Sequence, residues 1–518
     1  MASQYLFGID IGTFGSKGVL IDAEGTICAE HFIEHDINVV RPGWVEQDPE
    51  RCYWQDFKTI IGMLLKGSGI DPGDIAGIGI SSLAPDMLPI DRDGRPVRPC
   101  IIYMDRRAER ECRWVLDNIG FDKVFEISGN AVDSYFAGYE VLWYLNNEPE
   151  NYNRTWKILN ADKYVIYKLT GEPVIDHTTA TIFAPLFDYK RREWSEEICQ
   201  ITGVDIDKLP RSFEPHEVVG EVNSEGERET GLAEGTPVVS GAPDAMISSL
   251  SVGILNKGES AFTYGTTGCW VIVQDEPRFD PRFVNAPYFS GKYTSVGAMV
   301  TTGGLVRWFR DQFGHPEKQR AEAEGISAYR LLDEEAEKIP PGCDGLVTLP
   351  YFMGERTPIW DPMARGIIFG LNLYHTRAHI YRSLLEAAGY ALKQHMEIAG
   401  EIGIEVKSII AANGGAKSKL WRQIISDITG FPQLYVPKAP GAPFGDALLA
   451  GIGIGLFKKF DEVKRFVKVE EEVIPNKTLT EIYSKLFQVY KNLYPNTKSD
   501  AHMIHSMTAG GMEEETSN

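Results

Sequence analysis

A short hairpin near the start constrains this chain more than any other stretch. Tyr5-Leu-Phe-Gly-Ile-Asp-Ile-Gly-Thr-Phe-Gly-Ser-Lys-Gly-Val-Leu-Ile-Asp22 reads as two apolar strands around a turn at residues 10–17. Gly12 and Gly15 let backbone come close to a ligand, which residues with a Cβ resist. Thr13, Ser16 and Lys17 add hydroxyls and a cation suited to phosphate oxygens. Asp10 ends the first strand, where a carboxylate can hold a hydrated Mg²⁺ together with phosphate. The same residues also read as a glycine hairpin carrying a solvated lysine.

The theme returns about 250 residues later. Glu259-Ser-Ala-Phe-Thr-Tyr-Gly-Thr-Thr-Gly-Cys-Trp-Val-Ile-Val273 is again strand, Gly/Thr turn, strand, with Gly265, Thr266 and Thr267 at its tip. Two such hairpins suggest two related halves, with a boundary near residues 250–258, where Asn256-Lys-Gly258 makes a break. Before the break, Pro237 to Ser240 reads as a buried strand and Ala245 to Val252 as a helix. Asp244 lies at their corner, either as a site carboxylate or as a helix cap. Asn413-Gly-Gly-Ala416 opens a helix after a short strand, and such a turn can lay a base or phosphate against backbone amides. Asp105 and Arg107 stand at a strand-to-helix junction and suit either ligand contact or capping and an ion pair. Glu355 and Arg356 read as ligand contacts or as an internal ion pair holding their loop. Asp176 to Thr181 reads as a cleft lining or as a loop held by its own hydroxyls.

Composition excludes several partner classes. Lys plus Arg is 52 against 73 Asp plus Glu, a net charge of −21, which disfavours nucleic acid and anionic membranes as partners. No run approaches the roughly 18 apolar residues of a membrane span. The seven cysteines form no C-x-x-C pair, and a reducing, cytoplasmic location with buried thiols is the expectation. A chain of 518 residues allows about two to four domains. Its end, with Gly510-Gly511 and Glu513 to Glu515, is expected to be a mobile tail.

Several ordered motifs resemble the FGGY carbohydrate kinases, the family of xylulokinase, gluconokinase and glycerol kinase. They are Gly8 to Thr13, Trp44-Val-Glu-Gln-Asp-Pro49, Gly354 to Pro358, Gly366 to Leu371 followed by His379 to Glu386, and Asn413 to Ala416. The resemblance covers roughly residues 5–495. It implies an α/β chain of two actin-like (RNase H-like, ASKHA) domains around a central cleft. These would be an N-terminal, sugar-binding domain over 1–252, a nucleotide-binding domain over 253–495 and a flexible tail over 496–518. It implies transfer of the ATP γ-phosphoryl group to a hydroxyl of a small sugar, a ketopentose such as xylulose, with Mg²⁺ and with a homodimer as a common assembly. By position Asp244 resembles the catalytic base and Asp10 the metal carboxylate. Thr13, Lys17, Gly265, Thr266 and Thr267 would face the nucleotide phosphates, and Gly414, Gly415 and Ala416 would border adenosine. The sequence departs from xylulokinases where they carry Gly-Gln-Met-His-Gly. Here Ala84-Pro85 replaces the Met-His pair, and Asp86 and Asp105 are the expected replacement sugar contacts. Glu140 stands where the family signature has lysine. Another ketose, a polyol or an aldonic acid stays open as substrate. An actin- or chaperone-like ATPase and a non-catalytic sugar sensor are the readings from other classes.

Overall fold

The computed structural model describes residues 4–437 and 441–515. It divides into two compact units. The first comprises 1–256, 273–295 and 440–467, and the second comprises 257–272, 296–439 and 468–518.

In the first unit, β1 (Tyr5–Ile11) and β2 (Gly15–Asp22) form an antiparallel hairpin, and β3 (Ile27–Glu34) continues the meander. On the other side of β1, β4 (Ile75–Ser82) runs parallel to it, and β5 (Pro237–Val239) runs parallel to β4. The strand Val218–Glu221 closes the edge. The buried runs of β1 and β4 are apolar because helices cover the sheet. Helix α1 (Asp56–Ser68) lies against Gly18, where an added Cβ would stand 2.4 Å from Ile60 Cγ2.

The second unit repeats this plan. β6 (Glu259–Tyr264) and β7 (Gly268–Gln274) form an antiparallel hairpin. β8 (Ser408–Ala412) runs parallel to β6, and β9 (Gln433–Tyr435) runs parallel to β8. A hairpin followed by two parallel strands is therefore the common core, and the repeated hairpin in the sequence marks it.

Three features are hidden by the linear order of the chain. The first crossing between units, at 256/257, falls close to the expected boundary of 252/253, but the division is not sequential. Helix α6 (Ala442–Gly453) belongs to the first unit because it covers β1 and β4. The expected tail from residue 496 coincides, as far as residue 515, with the second half of a helix, Thr480–Glu515, that continues through Pro495; residues 516–518 lie outside the described residues. The charged stretch from Glu317 to Glu337 is two helices, His315–Glu324 and Ala328–Ala336, broken at the left-handed Gly325.

Candidate active site

Three parallel strands of the first unit end at one edge, and each delivers a polar group there. In register, Asp10 on β1 sits opposite Ser81 on β4, and Ile11 opposite Ser82. After β5 the chain turns through left-handed Gly241, where a Cβ would lie 2.0 Å from Ile80 O. Pro243 bridges to Ser82, and Asp244 opens helix α3 (Asp244–Ser251). The carboxyl ends of parallel strands are where α/β folds place ligands.

The edge is acidic. Ser81 Oγ lies 2.7 Å from Asp446 Oδ2 and 3.3 Å from Asp10 Oδ1. A hydroxyl donates one proton, so it cannot fully serve both carboxylates. Burial pushes the Asp10 carboxyl well above the usual range, and the Asp244 charge pushes it further. Burial does the same to Asp446, against the Ser81 hydrogen bond, and Asp10 adds to it. Asp244 Oδ1 accepts the Ala245 amide at 2.6 Å. Behind the edge lies Lys163 on α2 (Ala161–Thr170), fully buried. It pairs with Asp162 and, at 2.9 Å, with Asp176, and donates to Ser240 O at 2.6 Å. Burial pulls its pKa down, but the two aspartates outweigh this and raise it. Asp176 also caps the short helix His177–Thr181 by accepting from the Thr179 amide, so this stretch is held by its own polar groups.

The turn between β1 and β2 is held from behind through its carbonyls. The Gly12 amide donates to Gly15 O at 3.1 Å and the His35 amide to Phe14 O at 3.2 Å. Gln47 Nε2 donates to Thr13 O at 2.8 Å, and His35 Nε2 lies 3.0 Å from Gly12 O. Among the described residues the Thr13 and Phe14 amides find no partner. Unpartnered turn amides suit an anion. Gly15 is required here: its φ is +157°, and a Cβ would meet Ile33 O at 2.5 Å. Lys17 is register partner to Asp10, but its ammonium pairs with Glu30 at 2.9 Å.

In the second unit the expected nucleotide residues come together. Gly265 follows the end of β6 and Asn413 the end of β8, with Thr263 opposite Ala412. A Cβ on Gly415 would stand 2.9 Å from Tyr264 Cβ and 2.7 Å from Trp421, so the two turns lie side by side. Gly265 O accepts from the Gly303 amide at 2.9 Å and Thr266 O from the Gly304 amide at 2.9 Å, which ties the first turn to the start of α4 (Gly303–Phe313). Thr266 is exposed and Thr267 half-buried. Gly414 has open space around it, whereas Ala416 is buried.

The two expected sugar contacts are both buried and hydrogen-bonded within the first unit. Asp86 is fully buried in the strand Asp86–Ile90 and accepts the Ala161 amide at 2.8 Å, holding the start of α2. Asp105, 1% exposed, accepts the Val45 amide at 2.6 Å and Arg107 at 2.7 Å. Asp86 lies in a buried strand, and Asp105 in the loop that follows the strand Cys100–Ile102. Sequence reading missed Ser81, Lys163 and Asp446. Asp446 carried a signal: an acid inside the apolar run Ala442 to Ala450 must find a partner.

Both units are of the actin-like α/β class. Within that class the chain belongs to the FGGY family of carbohydrate kinases: residues 5–251 match the family's N-terminal domain and 260–454 its C-terminal domain. It is 30% identical over 502 residues to a xylulose kinase of Bacillus subtilis, covering 96% of this chain and 97% of the relative. It is 29% identical over 504 residues to a gluconokinase of the same organism, covering 95% and 97%. The solved xylulose kinase of Rhodospirillum rubrum superposes with a TM-score of 0.87 at 28% identity, over 96% of this chain and 100% of that one. The chain is thus a sugar phosphotransferase with ATP as co-substrate. Among the described residues no helix is long and apolar enough to cross a membrane.

Proposed function

We propose that this kinase transfers the γ-phosphoryl group of ATP to a hydroxyl of a ketopentose such as xylulose, with Asp244 as the base. The observation that carries this reading is the convergence of Asp10, Ser81 and Asp244 on one strand edge. Phosphoryl transfer needs positioning, neutralised charge and an acceptor for the attacking hydroxyl's proton. Asp244, at the first turn of α3, orients the sugar hydroxyl and takes that proton. The unpartnered amides of the 12–15 turn receive phosphate oxygens, and Thr13 and Lys17 border them. Gly265, Thr266 and Thr267 form a second phosphate turn, and Gly414, Gly415 and Ala416 border adenosine.

The acidic edge fits magnesium. Among the described residues no three His, Cys, Asp or Glu side chains could hold a metal ion by themselves. Magnesium does not need them, because it keeps its waters and borrows phosphate oxygens beside one or two carboxylates. Asp10 would hold it, where the protein leaves negative charge uncompensated. When bound, it neutralises charge on the phosphates.

The gluconokinase likeness supports a second substrate class, aldonic acids. A coupled ADP-release screen over ketoses, polyols and aldonic acids separates the two. With the best acceptor, Asp244→Asn should lower kcat by about 10²–10⁴-fold while nucleotide affinity stays. Unchanged turnover would remove Asp244 from the role. A homodimer is the assembly we propose, supported by the exposed apolar run of Phe369, Leu371, Leu373 and Tyr374. Sedimentation velocity tests it.

A further inference from the structure

We propose that His35, braced by Asp56, is a positioning residue that presents the first phosphate turn to the nucleotide as a charged strut. The inference rests on the reading of residues 12–15 as a phosphate turn. His35 follows β3 and is 7% exposed. It grips the turn twice, through its amide to Phe14 O and its Nε2 to Gly12 O. Its Nδ1 lies 2.7 Å from Asp56 Oδ2, on the first residue of α1.

Both ring nitrogens therefore face oxygen atoms. Gly12 O can only accept, so Nε2 carries a proton. An ionised Asp56 can also only accept, so Nδ1 must carry one too. If the carboxyl holds that proton instead, the pair still contains one proton more than a neutral imidazole beside a carboxylate. The geometry is that of an imidazolium–carboxylate pair, shielded from water, behind the turn.

The charge acts on one peptide unit. In a trans peptide the carbonyl and the amide point in opposite directions. The carbonyl of the Gly12–Thr13 unit faces His35, and its amide, that of Thr13, has no partner among the described residues. A cation on the carbonyl fixes the peptide plane and polarises the amide, making it a better donor to an anion. Gln47 does the same, without charge, for the Thr13–Phe14 unit. Asp56 is the charged side chain bonded to the ring. Cys52, ahead of α1, lies beside Asp56 with its thiol pushed up by burial. Lys17 on β2 and Glu30 on β3 are paired with each other, and Glu34 and Asp36, which flank His35, are exposed.

The test is AMP-PNP affinity by calorimetry with magnesium, together with KM for ATP and for the acceptor. His35→Leu should weaken AMP-PNP binding and raise KM for ATP by about tenfold, leaving acceptor KM within about twofold. His35→Gln keeps one donor and should recover part of the loss. Asp56→Asn removes the carboxylate that braces the ring, so it should weaken AMP-PNP binding in the same direction as His35→Leu and leave acceptor KM within about twofold. If His35→Leu fails to fold, His35→Gln and Asp56→Asn carry the test. Equal losses for ATP and acceptor, or a His35→Leu affinity within twofold of wild type, would overturn the proposal. Thr13→Pro, which deletes the unpartnered amide, separates the two levels. If it leaves AMP-PNP binding unmoved, the phosphate turn itself is misassigned. If it weakens binding while the His35 variants do not, only the strut fails.

Discussion

Glu355 lies inside the second unit, 2% exposed, where Oε1 accepts the amides of Val300 at 2.8 Å and Arg356 at 2.9 Å. Its carboxyl holds backbone, and the neighbouring Arg356 charge favours its ionised form. Burial pushes its pKa up to about 8, against those hydrogen bonds. The folded chain therefore keeps a proton that the unfolded chain, titrating near 4.5, releases. Stability from this group is whole below pH 4.5 and is lost as pH rises through 8, on the order of 5 kcal/mol at the limit. Glu355→Gln keeps an oxygen for both amides and cannot ionise. Calorimetric melting should find it level with wild type at about pH 5 and more stable by a few kcal/mol at about pH 9. Parallel melting curves across that range would refute the assignment. A lone Glu in a loop does not announce its burial, because the segments that close over it are distant in sequence.

At the scale of elements, the decisive contact is α6 on the paired strands β1 and β4. Gly8 and Gly79 are register partners. A Cβ on Gly8 would stand 1.8 Å from Pro443 O, and one on Gly79 2.1 Å from Asp446 O. The helix backbone rests on the strands where side chains are missing. Overpacking a core costs about 1–3 kcal/mol when side chains can give, and here the obstacle is backbone. Gly8→Ala should therefore cost at least about 3 kcal/mol in urea unfolding, whereas Gly414→Ala, with open space around it, should change stability by less than about 0.5 kcal/mol. Equal effects would mean that α6 does not sit as described. The same contact brings Asp446 to Ser81. Element identity was legible where the local pattern is strong: the short strand expected before Asn413 is Ser408–Ala412, and the motif His379 to Glu386 lies in helix α5 (Arg377–Glu401). The break at Gly325 is set by its left-handed backbone, although charged residues on both sides favour helix.

At the scale of the molecule, the first unit is discontinuous. Residues 1–256 lack α6, and without it the apolar faces around Gly8 and Gly79 meet water. A fragment ending at residue 256 should show no cooperative unfolding transition by circular dichroism, and adding 440–467 through a linker should restore one. A cooperative 1–256 fragment would contradict the division. Connections that return to an earlier sheet are common in α/β proteins, but sequence order conceals them, so a boundary placed at one point in the chain misses the return.

Local chemistry alone determined the two glycine-threonine hairpins, the acid that ends the first strand and the acid that opens a helix at 244, because turn glycines and strand ends are properties of a few consecutive residues. Tertiary structure alone decided which of the polar side chains meet backbone and which meet one another. Asp86 and Asp105 hold backbone in the interior, while Asp10, Ser81 and Asp446 meet across 436 positions of chain (446 − 10). The physical reason is that burial and proximity arise from segments far apart in sequence, and no window along the chain contains them.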